Sequence, residues 1–155
     1  MRKISVAQAL GMIALTSLIL LAGCATIPPT PDTQISLPAS FEKVWYRPTI
    51  GKPGIQVMTD TGTVTVRTNG VAFIGKKGTT EISYEDIQHV AFGKVGSDFI
   101  NKWVTVIYRE DNSDSYALFT GGSALGWGGG GVAARIFQSM RFALDQKGLG
   151  SVVEK

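Results

Sequence analysis

A serine, a histidine and a carboxylate are the side chains of nucleophilic catalysis, and the middle of this sequence holds all three types close together. His89 is the sole histidine; Ser83 and Ser97 flank it, and Glu85 and Asp86 come just before it. No Gly-x-Ser-x-Gly elbow presents either serine, and His89 falls in a run with ordinary strand alternation. We therefore interpret His89 as a structural or surface residue and predict that the chain is not an enzyme.

Metal chemistry is not indicated by the residue types. One histidine, one cysteine and scattered carboxylates do not make a zinc site. The segment from Asp111 to Asp114 lacks the glycine and the spaced ligands of a calcium loop. We expect no metal and no cofactor apart from acyl groups on Cys24.

A glycine-rich run, Gly126-Trp127-Gly128-Gly129-Gly130-Gly131, formally matches the dinucleotide pattern G-x-G-x-x-G. That function needs a second strand with an acidic residue about twenty positions on, but the predicted helix runs almost to Lys155. No Gly-Lys-Ser/Thr of a P-loop is present, so we expect no nucleotide. The run is either a flexible connection or a loop whose backbone closely approaches a partner, with Trp127 as its anchor.

Replacement of Trp127 by alanine separates these two interpretations. A binding loop predicts that Trp127→Ala weakens a partner interaction, because exposed aromatic side chains often dominate contacts. Co-purification of the variant checks this, and if every interaction survives intact, the loop is only a connector.

Other candidate contacts are basic or aromatic. Lys76 and Lys77 at a predicted hairpin tip, with Arg67 on the adjacent strand, are candidates for contact with lipid headgroups, although lysines at a turn usually serve solubility. Trp45 and Tyr46 form either part of the core or an exposed patch, and we favour the core.

The charge balance argues against a nucleic-acid partner. The chain has 15 basic and 12 acidic residues, for a net charge of +3. Arg2 and Lys3 lie in the predicted signal peptide, and their removal leaves a nearly neutral protein. A nucleic-acid-binding domain would carry a strongly basic surface.

The N-terminus has the parts of an export signal. Arg2 and Lys3 precede an apolar stretch that runs to about Leu20, and the small residues Ala22 and Gly23 precede Cys24. The sequence Leu21-Ala22-Gly23-Cys24 resembles the lipobox of bacterial lipoproteins. The resemblance implies cleavage between Gly23 and Cys24, a diacylglycerol thioether and an N-acyl group on Cys24. It also implies the periplasmic face of the outer membrane, because Ala25 and not aspartate follows. The alternative is an ordinary secretory signal with a chance cysteine.

The mature chain begins with a linker and continues as one domain. Residues 24–40 hold the lipidated cysteine and four prolines, Pro28, Pro29, Pro31 and Pro38, and should be extended. We predict a domain over residues 41–148 and a tail over 149–155.

Short β-rich runs separated by turn residues fill most of this domain. Strands are expected at 63–67, 71–74, 79–83, 88–92, 103–108 and 115–119, with an ambiguous run at 41–46 and a candidate short strand at 55–58. Turns are expected at 60–62, 69–70, 76–78 and 111–114, a tight or helical turn at 84–87, and loops at 93–102 and 121–131. The loop at 93–102 has a candidate helical turn at 98–101.

Apolar residues then recur at three- and four-residue spacing from Val132 to Leu144, which predicts an amphipathic helix that ends at Gly148. The fold class is therefore mainly β with one C-terminal helix.

The order of these elements resembles the pleckstrin-homology-like (PH-like) superfold, particularly its GRAM-type members. The resemblance is carried by Asn69 to Ile74, by Ile82-Ser83-Tyr84-Glu85-Asp86-Ile87 and by the strand Trp103 to Tyr108. It implies a bent sheet or split barrel of about seven strands capped by the helix, with an inward aromatic in the first segment and a core isoleucine at the end of the second. The alternative is a generic β-sandwich or open barrel.

Phosphoinositide binding does not follow from this resemblance. The family's basic signature needs a lysine or arginine two residues before an arginine that ends an early strand, and Thr65 stands there before Arg67. The function expected is that of a membrane-anchored, non-catalytic binding or adaptor module for an envelope protein, a peptide or a lipid. The alternative is a structural envelope lipoprotein that self-associates or supports membrane integrity.

Overall fold

A computed structural model describes residues 35–50, 58–96, 98–122 and 130–154, apart from the side chain of Phe99. The predicted signal peptide, Cys24, most of the linker and residues 55–57 of the candidate strand at 55–58 lie outside these ranges. The strands are β1 (Ala39–Arg47), β2 (Asp60–Val66), β3 (Gly70–Gly75), β4 (Thr79–Ser83), β5 (Ile87–Val95), β6 (Asp98–Glu110) and β7 (Ser113–Gly121). The helix is α1 (Gly130–Gln146), and short 3-10 turns occupy Tyr84–Asp86 and Gly150–Val152.

The described strands form one antiparallel sheet in the order β4-β3-β2-β1-β7-β6-β5. Two series of neighbouring strands, β1 to β4 and β5 to β7, are joined because β1 pairs with both β2 and β7. The helix packs on one face of this sheet. The predicted fold class, mainly β with about seven strands and one C-terminal helix, is confirmed.

A bulge interrupts β1 between Phe41 and Val44. Phe41 pairs with Val64 and Val44 with Gly62, so two residues of β1 face one residue of β2. Lys43 within the bulge has φ 55°, a left-handed conformation that is uncommon outside glycine. Bulges bend a strand and increase its twist, which suits a strand shared by two halves of a bent sheet.

The main core lies between the sheet and α1. The helix buries apolar side chains at three- and four-residue spacing, as predicted: Ala133, Ile136, Met140, Ala143 and Leu144. They pack with inward residues of the strands, among them Phe73 and Ile87, which the family resemblance placed in the core.

The helix ends as its sequence predicts. Gly148 adopts φ 74°; its N–H donates to the Asp145 carbonyl at 3.0 Å, and the Leu149 N–H donates to the Leu144 carbonyl at 2.8 Å. This pair of hydrogen bonds is the Schellman motif, which satisfies carbonyls at a helix terminus.

A second apolar cluster is formed by Trp45, Trp103 and Leu118. The Trp103 indole N–H donates to Asp98 at 2.8 Å, and the Arg47 guanidinium lies 4.9 Å from the centre of the Trp103 ring. Trp45 is therefore a core residue, in agreement with the favoured interpretation.

The predicted loop at 93–102 is replaced by the ends of β5 and β6, and the Asp98 carboxylate lies at an irregularity in their pairing. This carboxylate accepts the backbone N–H groups of Ile100 and Asn101 at 3.1 and 3.0 Å. Burial raises the pKa of Asp98, but these hydrogen bonds and the one from Trp103 outweigh it and leave the pKa below its ordinary value.

Gly93 pairs with Trp103 and Val95 with Asp98, so four residues of β6 face one residue of β5, and the Asp98 hydrogen bonds lie within this bulge. The helical turn expected at 98–101 is assigned to β6.

The turn predicted at 60–62 is also wrong, because these residues begin β2. The Asp60 carboxylate accepts backbone N–H groups from Thr61 at 2.7 Å, Lys76 at 3.2 Å and Lys77 at 2.9 Å. Asp60, a residue type that is common in turns, is therefore part of a strand, and its carboxylate stabilises the neighbouring β3–β4 turn.

The hairpin at Asn69-Gly70 forms, but not through the type I′ turn that an Asn-Gly pair predicts, which needs a positive φ at both residues. Neither residue has a positive φ. Gly70 is required for a different reason, because a Cβ there would collide with the carbonyl oxygen of Ile82 on β4. The left-handed conformation is found instead in the β6–β7 turn, where Asp111 and Asn112 have φ 49° and 62°. After this turn, β7 begins at Ser113, two residues earlier than predicted.

The domain extends beyond both predicted boundaries. Leu37 packs on the core and β1 begins at Ala39, so the linker ends before residue 40. After the helix, Val153 forms a parallel bridge with Val90, and the Glu154 N–H donates to the Val90 carbonyl at 2.8 Å. Residues 149–154 are therefore packed on β5 and are not a free tail.

We expect Asp60→Asn to lower the melting temperature at neutral pH, because an amide cannot accept all three N–H donors as a carboxylate does. The backbone N–H of Lys77, with those of Thr61 and Lys76, holds the pKa of Asp60 below its ordinary value. The stabilisation of the folded state by the ionised Asp60 carboxylate is therefore complete above the pKa of the carboxyl group in the unfolded chain, about 3.9. It is lost as the pH falls toward the lower pKa of Asp60 in the folded chain.

Thermal melts of the two proteins between neutral and acidic pH measure this difference. The gap in melting temperature should narrow in acid, and the exposed Asp86→Asn variant serves as the matched control. A gap that is independent of pH would show that the carboxylate charge is not what holds the turn.

Candidate binding crevice

A crevice of about 470 Å³ lies between β4, the end of β1 and the β6–β7 hairpin. Its lining is rich in hydroxyl groups and carboxylates: Tyr46, Pro48, Thr49, Thr79, Thr80, Glu81, Tyr108, Glu110, Asp114, Ser115 and Tyr116. These residues come from strands far apart in the sequence, so the sheet topology brings them together.

Tyr46 is fixed by aromatic packing. Its ring stacks on Phe73 with centroids 4.6 Å apart and lies 5.8 Å from Phe119. The Thr80 hydroxyl donates to its phenol oxygen at 3.2 Å, which joins β1 to β4. This side chain is therefore held on the inner face of the sheet and presents a rigid wall to the crevice.

Tyr108 is the most deeply buried lining residue, with 7% of its surface exposed. Its hydroxyl donates to Glu110 Oε2 at 3.4 Å. Burial, followed by the nearby Glu110 charge, raises the pKa of Tyr108 to about 12. The phenol therefore stays protonated at neutral pH and acts as a hydrogen-bond donor.

The charged side chains among the described lining residues are all carboxylates. Glu81, Glu110 and Asp114 are exposed carboxylates, and no lysine, arginine or histidine is among the described lining residues. Arg67 lies 3.3 Å from Glu81, and Arg109 lies 4.0 Å from Asp114. Exposed pairs of this kind contribute little energy, so the carboxylates stay available to a competing cation.

The basic residues proposed for headgroup contact are not brought together. Arg67 follows β2, whereas Lys76 and Lys77 follow β3 at the opposite end of that strand. The Lys77 ammonium donates to the Thr59 carbonyl at 2.7 Å, and Arg67 is paired with Glu81. The structure gives these three side chains no common surface.

The described serine and the histidine considered for nucleophilic catalysis, Ser83 and His89, do not form a hydrogen bond with each other. The Ser83 hydroxyl accepts the Glu85 N–H at 3.4 Å and caps the 3-10 turn. His89 lies beside a second crevice of about 440 Å³, with its Nε2 3.9 Å from Glu154 Oε2. Ser97 lies outside the described residues.

The glycine-rich run is described only at its end. Gly130 and Gly131, predicted as loop, form the first residues of α1, and a Cβ at either would meet open space. Trp127, Gly128 and Gly129 lie outside the described residues.

Within the described ranges, no group of three or more histidine, cysteine or acidic side chains is placed to hold a metal ion. The helix found there is also too short or too polar to cross a membrane.

Sequence reasoning missed the crevice. The sequence favours a core position for Tyr46 and predicts only a turn at Asp114. Glu81 and Glu110 carried no signal, because alternating charged residues are usual on the exposed face of a strand. Predicting the crevice would have required knowledge that β1 pairs with β7, because this pairing brings its walls together.

No protein-family model matches this sequence, and no curated protein matches it. Among solved structures, the chain is similar to one described as the Spt16D Pob3N heterodimer, with a TM-score of 0.42 and 13% identity. The match covers 77% of this chain and 54% of that chain, so it spans about half of that protein's length. A likeness at this level carries no functional argument.

We expect two substitutions at Tyr46 to separate its packing from its hydroxyl. Tyr46→Phe removes the Thr80 hydrogen bond and should cost about 1 kcal/mol of unfolding free energy. Tyr46→Ala also removes the stacking on Phe73 and should cost about 3 kcal/mol.

Urea unfolding of the mature chain measures both values. Equal losses for the two variants would show that the ring does not support the crevice wall.

Proposed function

We propose that this chain is a lipid-anchored lipoprotein of the bacterial cell envelope, held at the periplasmic face of the outer membrane. Its PH-like domain acts as a non-catalytic binding or adaptor module for a protein, peptide or lipid partner. The observation that carries the binding role is the crevice beside β4, which combines a rigid aromatic wall with a polar, charged rim. Binding sites commonly combine such a wall with a few placed polar groups.

The anchor is supported by the Leu21-Ala22-Gly23-Cys24 pattern behind a basic and then apolar segment. One acyl chain binds a membrane only marginally, whereas two or more hold it stably, at about 0.8 kcal/mol per buried CH₂. A diacylglycerol with an N-acyl group on Cys24 meets this requirement. The tether confines the domain near the membrane and so raises its effective concentration toward partners there.

We expect Cys24→Ser to abolish incorporation of labelled palmitate and to leave the signal peptide uncut, because the thiol is the acylation site. Palmitate labelling and intact-protein mass spectrometry check both points, with Ser36→Ala as the control. Wild-type protein that is cut at residue 24 but carries no acyl group would contradict the anchor.

The adaptor role predicts a stoichiometric heterologous partner when the full chain is purified from detergent-solubilised envelopes. Excess untagged chain should compete for that partner. Recovery of homo-oligomers alone would instead support the alternative, a structural lipoprotein that acts through self-association.

A further inference from the structure

The free edge of the sheet lies at the crevice. Within the described residues, β4 pairs only with β3, and it forms one end of the seven-stranded order. The other edge, β5, is covered in part, since Val153 bridges Val90. An uncovered edge presents unpaired backbone groups to any extended chain of suitable chemistry.

The register shows which backbone groups of β4 face outward. The Gly75 N–H donates to the Gly78 carbonyl at 2.9 Å, which makes this a hydrogen-bonded pair. Such pairs alternate along an antiparallel ladder, so Phe73 with Thr80 and Val71 with Ile82 also exchange hydrogen bonds. The N–H and C=O groups of residues 79 and 81 therefore point away from β3.

The charge beside this edge selects the partner. Glu81, Glu110 and Asp114 line the crevice together with the phenols of Tyr46, Tyr108 and Tyr116. Carboxylates and aromatic faces both attract ammonium and guanidinium groups. An anionic lipid headgroup finds no cationic side chain among the described lining residues, because Arg67 and Arg109 lie outside the lining and are paired with Glu81 and Asp114.

The chain's own linker does not fit this description. Residues 25–40 contain one charged side chain, Asp32, and it is acidic. Glu154 near the C-terminus is hydrogen-bonded to Val90 at the opposite edge of the sheet. Charge complementarity therefore favours a basic segment of another protein.

We propose that an extended segment carrying lysine or arginine adds to β4 as an eighth strand and places a basic side chain among Glu81, Glu110 and Asp114. The segment forms main-chain hydrogen bonds with residues 79 and 81, as in other cases of strand addition. This inference rests on the proposed adaptor function and names the chemistry of its partner.

The probe is a blocked peptide of alternating lysine and valine, compared with the same peptide carrying glutamate in place of lysine. Nuclear magnetic resonance titration of the full mature chain in detergent micelles should show binding of the lysine peptide only. Amide shifts should be confined to residues 79–83 and 108–116. Binding should weaken as salt is added, because the rim charges are exposed.

Two pairs of variants test the two parts of the proposal. Thr79→Pro removes an outward N–H without breaking the ladder to β3, and Thr79→Ala retains it. The proline variant should bind the lysine peptide about tenfold more weakly than the alanine variant, as expected for a lost main-chain hydrogen bond. Equal affinity would overturn strand addition.

The combined Glu110→Gln and Asp114→Asn variant should also weaken binding of the lysine peptide about tenfold. This is near the upper end of the effect expected from the loss of two exposed ion pairs. Its control, Glu42→Gln with Glu85→Gln, changes two exposed carboxylates elsewhere and should bind normally. Thermal melts confirm that each variant is folded, and the carboxylate pair stands as a separate test if Thr79→Pro unfolds.

Binding of neither peptide, or of both equally, would overturn the inference. If wild type captures an envelope partner and the Glu110→Gln/Asp114→Asn variant captures it equally well, the adaptor function stands and this site is wrong. If the lysine peptide binds as expected but no envelope partner is found, the site stands and the adaptor function fails.

Discussion

The pairing of β1 with β7 is the constraint on which the rest of this domain depends. Val44 to Arg47 pair with Leu118 to Gly121, which joins the two halves of the sheet across a long stretch of sequence. Without this pairing, β1 to β4 and β5 to β7 would each be a small sheet with an uncovered face. The bulge at Lys43 gives β1 the bend that a strand shared by both halves requires.

The same pairing creates the crevice and determines its edges. It places Tyr46 of β1 between Phe73 and Phe119, and so brings the crevice walls from separate parts of the chain together. It also leaves β4 and β5 as the two ends of the sheet. The C-terminal residues cover part of β5, while β4 faces a crevice whose rim is acidic. The location and the charge of the proposed site are thus consequences of topology.

Local sequence signals predicted much of the fold. The strand at 79–83, the short helical turn after it, the Trp103 hairpin and the helix that ends at Gly148 depend on propensity, alternation and capping, and all are confirmed. The segments around Asp60 and Asp98 differ from the prediction, because aspartate by itself suggests a loop. The Asp60 carboxylate instead holds the β3–β4 turn, and the Asp98 carboxylate binds backbone N–H groups within the bulge of β6. The crevice could not be predicted, because Tyr46, Glu81 and Glu110 meet only through strand pairing far apart in sequence.

Hydrogen exchange along β4 tests the central claim, an open sheet edge beside the crevice, most directly. Measured by nuclear magnetic resonance on the free mature chain, the amides of Thr80 and Ile82 should exchange slowly, because they donate to β3. Those of Thr79 and Glu81 should exchange rapidly. Slow exchange at all four positions would contradict the account, because it would show that the edge is already covered.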